Sequence, residues 1–226
     1  METIAFQPSA QRNTFYQWAN ALALITIAYN LIEGIVSVVF GYEDGSMALF
    51  GFGVDSFVEV FSAVGIWHMV RRIRNNGSEN PDQFEQTALK ITGAGFYVLT
   101  VGLSITAAGD LYRGHKPETT FWGIVVSVIS IATMWLLTHY KVKVGNQLKS
   151  AAILSDAACT RVCMQLSIVL LIASAGYELT HIGGFDSIGA FVIAGICFKE
   201  GKEAFEKAKA KSFACACGGA CQSEKE

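Results

Sequence analysis

Charge is scarce in this chain. Asp, Glu, Lys and Arg make up only 16% of its 226 residues, against roughly 25% in a soluble domain. A water-soluble globule of this length is therefore disfavoured. The formal net charge of −2 leaves no basic surface for a nucleic acid. Proline is rare too, with three against 22 glycines, which fits a helical chain better than a strand-rich one. There is no Cys-x-x-Cys and no cofactor motif, so a thiol oxidoreductase is a weak reading. The four histidines (His68, His115, His139, His181) sit near the ends of apolar runs and form no hydrolase constellation. No secretory signal is apparent: the start, METIAFQPSAQRNTF, is mostly polar, and the apolar run after it is too long for an h-region.

What is present is apolar length. Hydrophobic residues make up 52% of the chain. Crossing about 30 Å of hydrocarbon takes about 20 helical residues. Six runs approach or exceed that, at roughly 15–41, 46–70, 87–112, 119–140, 149–176 and 182–198. Short polar segments separate them. The expected fold is an all-α integral membrane protein with six transmembrane helices, because lipid-exposed sheet edges or loops would leave backbone groups unsatisfied. Residues 1–14 read as an N-terminal segment, 15–210 as the membrane domain and 211–226 as a flexible tail. Lys and Arg set the orientation. One set of segments holds Arg12, Arg71, Arg72, Arg74, Lys141, Lys143, Lys149 and the lysines from Lys199 to Lys211, while the other holds Arg113 and Lys116. The first set, and with it both termini, is expected in the cytoplasm.

Four acids interrupt the oil: Glu33, Asp55, Glu59 and Asp156 all fall within expected spans. Four ionised, unpaired groups at the bilayer centre would cost on the order of 10 kcal/mol. A cation, protons or a paired base must offset that. Asp55 and Glu59 are four apart, so a helix points both at one object. Asp156, Cys159 and Cys163, at i, i+3 and i+7, share one helical stripe. Carboxylate with thiolate suits a borderline or soft divalent ion. Asp55, Glu59, Asp156 and Cys159 are the expected ligands, with Cys163 as an accessory. Buried cysteines are also ordinary small hydrophobes, and packing is the favoured reading for Cys197. Glu33 either pairs with another helix or carries protons.

These residues resemble the cation diffusion facilitator family of six-helix divalent-metal transporters. The likeness begins in YNLIEGIVSVVFGYEDGSMALFGFGVDSFVEVFSA, where Asn30, Gly34, Ser46, Ala48 and Leu49 match the family's pattern and its ligand pair falls on Asp55 and Glu59. It continues through the third and fourth spans and ends in GGFDSIGAFVIAGICFKEGKEAFEKA, covering about 15–210. The family's fifth span carries His-x-x-x-Asp. Placing the Asp on Asp156 leaves Ala152 at the His, and Cys159 is the natural substitute. Glu59 stands where Asp is usual. The family's folded C-terminal cytoplasmic domain is expected to be absent, making this a short variant.

The tail, KSFACACGGACQSEKE, holds Cys215, Cys217 and Cys221, which are expected to be reduced in the cytoplasm and are further candidate metal thiols. The resemblance implies export of a divalent cation across the cell membrane in exchange for protons, by a protein that is not an enzyme. Zn²⁺ is the first expectation, with Cd²⁺ or Hg²⁺ next. A homodimer is implied too, held here by membrane helices alone. The alternative is a membrane metal sensor or metal-chaperone partner that binds without transporting.

Overall fold

In a computed structural model, which describes residues 9–76, 83–114, 116–148, 150–182 and 184–209, six helices follow one another. They are α1 (Ser9–Glu43), α2 (Met47–Asn76), α3 (Gln83–Arg113), α4 (Phe121–Leu148), α5 (Ala151–Thr180) and α6 (Gly184–Lys209). There is no strand among the described residues. No proline falls within a helix; Pro117 lies between α3 and α4, where its missing N–H costs no helical bond. All six expected spans are helices, each running past its sequence estimate at one end at least.

Five of the helices are long and apolar enough to cross a membrane by themselves: α1 to α5. The sixth does not reach that standard, because Asp186 and Lys199 bracket its uncharged part. It is held in the bundle by tertiary contact, packing chiefly on α3 and also on α5 and α2.

The other five helices form an open arc around α2. Along the arc, α1 contacts α4, α4 contacts α5, α5 contacts α6, and α6 contacts α3. Helix α2 touches all five others. Accordingly, 56% of its membrane window is buried, against 33–39% in the other four windows. The outward faces of α1 and α3 carry Ile25, Ile32, Ile35, Val98, Val101 and Ile105, all exposed. Water would penalise such a surface, whereas hydrocarbon accepts it.

The α1–α2 hairpin turns through Gly45, whose φ of 70° lies in the left-handed region that favours glycine. The two helices then pack closely. A Cβ on Gly41 would come within 2.4 Å of the Phe50 backbone nitrogen, so only glycine fits that approach.

Two apolar clusters divide the interior. The first lies where α1 begins and α2 ends, and includes Tyr16, Leu22, Met69, Met134, Leu137, Ile153 and Cys163. The second lies towards the opposite end and includes Leu49, Phe52, Leu99, Leu103, Leu166, Leu170, Ile193 and Cys197. Asp55 and Glu59 stand on the central helix between them.

Candidate metal centre

Asp55 is 1% exposed. Burial on the central helix follows from the neighbours along α2, since Phe52, Ser56 and Val58 are buried as well. Each α2 acid meets a cysteine from a different helix. The Cys163 thiol of α5 donates to Glu59 Oε1 at 2.5 Å. The Cys197 thiol of α6 lies 3.4 Å from Asp55 Oδ1. Neither cysteine is in a disulfide. Asn30 of α1 donates from Nδ2 to Glu59 Oε2 at 3.1 Å, fixing the carboxylate plane. The negative fields of Glu200 and Glu33 both reach Asp55 and Glu59. The centre therefore combines carboxylates with thiols drawn from α2, α5 and α6. Among the described residues no three such side chains converge on one point; they stand as two acid–thiol pairs one helical turn apart along α2.

The structure does not bring Asp156 to this pair. Its Oδ2 lies 2.9 Å from Lys141 Nζ of α4, and Lys141 Nζ also donates to Thr160 Oγ1 at 2.8 Å. Lys141 is 1% exposed. Asp156 also precedes the apolar window of α5, which begins at Thr160. Its charge is thus balanced by a fixed ammonium near the helix end. The α5 group that faces Glu59 is Cys163, seven residues or two turns further on. Read from that anchor, the family's His-x-x-x-Asp spacing falls on Cys159-x-x-x-Cys163. The Cys159 side chain and the thiols of Cys215, Cys217 and Cys221 lie outside the described residues.

Two contacts are not legible in the sequence. Cys197 packs in the second apolar cluster, as expected, and also meets Asp55; the signal for that contact is Glu200 three residues on, a buried acid on the same face of α6. Lys141, which enters the sequence reading only through the orientation of the spans, is the buried partner of Asp156. No pattern within α4 marks it.

Two further acids serve as helix caps. Asp186 at the start of α6 accepts from Ser46 Oγ at 2.6 Å and from the N–H groups of Met47 (2.9 Å) and Ala48 (3.5 Å). Ser46 Oγ in turn accepts from the Leu49 N–H at 3.2 Å. The first turn of α2 is capped by its own serine and by a neighbouring helix. Glu178 near the end of α5 does the same for α4, accepting from Thr119 Oγ1 at 2.7 Å and the Thr120 N–H at 2.5 Å. The ends of α2 and α4 opposite the chain's first residues are thereby pinned around the centre.

Comparison with known proteins identifies the family. Residues 23–209 match the profile of the cation efflux transmembrane domain. An uncharacterized transporter, MJ0449, of Methanocaldococcus jannaschii is 24% identical over 177 residues, covering 76% of this chain and 62% of that protein. The manganese efflux system protein MneS of Bacillus subtilis is 24% identical over 189 residues, covering 82% of this chain and 65% of that protein. The chain thus spans less than two thirds of the length of these relatives. With its matched domain, its six helices and its lipid-suited surface, the chain belongs to the cation efflux family and is a multi-pass, all-α membrane protein.

Proposed function

We propose that this protein exports a divalent metal cation, with Asp55, Glu59 and Cys163 as ligands and Cys159, four residues before Cys163 in the sequence, as a further candidate. Cys197 is the accessory thiol at Asp55. The observation that carries this reading is the Cys163 thiol, buried on α5, at 2.5 Å from the part-buried Glu59 carboxylate. A carboxylate and a thiol share one proton or, after losing it, one cation. Thiolate donors favour Zn²⁺ or Cd²⁺ over Mn²⁺, which prefers oxygen. The relative from Bacillus subtilis is named for manganese efflux, so the thiols mark where this chain's preference departs. Metal binding requires deprotonated ligands. Protons are therefore the natural counter-ion, returning to the acids and thiols as the metal leaves.

The test is flux of Zn²⁺, Cd²⁺ and Mn²⁺ into sealed proteoliposomes under an imposed pH gradient, wild type beside Asp55→Ala and Cys163→Ser. We expect gradient-dependent flux of Zn²⁺ and Cd²⁺ that Asp55→Ala abolishes while the protein remains in the membrane. Cys163→Ser should shift preference towards Mn²⁺. Wild-type flux of Mn²⁺ above that of Zn²⁺ and Cd²⁺ would refute the thiol argument. Tight binding without flux under any gradient would make the protein a sensor or metal carrier instead.

A further inference from the structure

We propose that Glu33 is a proton-binding carboxyl distinct from the metal ligands, emptied when metal binds at Asp55 and Glu59 and refilled when it leaves. The proposal deepens the exporter reading and rests on it. Glu33 is 6% exposed on α1, and its immediate partners are hydroxyls. Tyr29 Oη donates to Oε1 at 2.9 Å. Ser56 Oγ of α2 lies 3.2 Å from Oε2, and Ser130 of α4 is a third hydroxyl partner.

The count of protons in this network is informative. Ser56 Oγ also lies 3.1 Å from the Phe52 carbonyl, which can only accept. A hydroxyl has one proton, and when Ser56 gives it to Phe52 its contact with Oε2 needs a proton from Glu33. The same holds through α4. Ser167 Oγ lies 2.8 Å from the Cys163 carbonyl and 2.8 Å from Ser130 Oγ. With the Ser167 proton on that carbonyl, Ser130 donates to Ser167 and has none left for Glu33. A proton on Glu33 supplies the donor that one of these two branches lacks. The hydroxyls also join Glu33 to the backbone of Cys163, the thiol that faces Glu59.

The charged and titratable groups around Glu33 explain the coupling. Tyr29 stands on its own helix. From α2, Asp55 and Glu59 interact with it through their negative charge. From α4, the buried cation Lys141 is committed to Asp156, and Ser130 faces Glu33. A divalent cation between Asp55 and Glu59 reverses the local sign of charge, so the Glu33 O–H bond breaks and its proton goes to solvent. Departure of the cation removes that positive field and lets a proton return to Glu33 as well.

The test uses the full chain in detergent, titrated with Zn²⁺ in weakly buffered solution while a pH indicator counts the protons released. Glu33→Gln keeps the shape and a donor but has no exchangeable acid. We expect it to release about one proton fewer per ion and, by linkage, to bind Zn²⁺ about tenfold more weakly at neutral pH while still binding it, with Glu33→Asp restoring the wild-type count. A Glu33→Gln protein that releases as many protons as wild type overturns the proposal. Complete loss of Zn²⁺ binding in Glu33→Gln overturns it also, making Glu33 a ligand. A wild-type protein that binds no Zn²⁺ would sink the exporter reading itself.

Discussion

Single side chains decide what the centre can hold. The Asn30 amide fixes one Glu59 oxygen while the Cys163 thiol occupies the other. Partners of this kind tune a metal ligand without touching the metal. Their removal typically costs 10–100-fold in affinity. Asn30→Ala should therefore weaken Zn²⁺ binding by about 10–100-fold without unfolding the protein, as measured by competition with a chelating indicator. An unchanged affinity would mean that Asn30 serves packing alone. At the opposite kind of site, the α1–α2 turn, Asp44 carries an unpartnered Oδ2. Its carboxyl is pushed above the usual range by partial burial, then by the charges of Glu43, Glu118 and Glu178. The folded state binds this proton more tightly than the unfolded chain does. The charged form is thus a penalty at high pH, relieved as pH falls through the raised value. Asp44→Asn should raise the thermal midpoint slightly at about pH 8 and leave it unchanged at about pH 3, below the ordinary Asp range.

Pairs of helices carry the next level of organisation. Helices α4 and α5 pack along much of their length and are tied at both ends. Glu178 caps α4 at one end, and Lys141 meets Asp156 at the other. The second tie is asymmetric in consequence. Removing one member of a buried ion pair leaves an uncompensated charge and costs about 3–5 kcal/mol, whereas replacing both with apolar residues is often neutral. Lys141→Ala should lower the unfolding midpoint sharply, and Lys141→Met with Asp156→Leu should recover most of it. Should the double variant bind Zn²⁺ as the wild type does, Asp156 is a structural counter-ion; should it lose binding, Asp156 belongs to the ligand set after all.

The molecule as a whole is an open arc of five helices around α2, with the α2 acids set between two apolar clusters. Apolar length and the scarcity of charge determined the helical membrane fold by themselves, since only closed backbone hydrogen bonding survives in hydrocarbon. The spacing of Asp55 and Glu59 likewise determined that the two carboxylates share a face, because the helical repeat is local. Which groups meet them across the bundle is not local. Asp156 and Cys163 lie on one stripe of α5, and periodicity alone cannot rank them. That choice depended on how far α5 slides against α2 and on the place of Lys141, a residue fifteen positions away in sequence. The same holds for Cys197, which looks like an ordinary buried thiol until α6 packs against α2. Helix content and the facing of each stripe are written in runs and repeats. The pairing of acid with thiol, and of Lys141 with Asp156, arises only when separate helices settle against one another, because desolvation makes each buried charge take the partner that packing brings within reach.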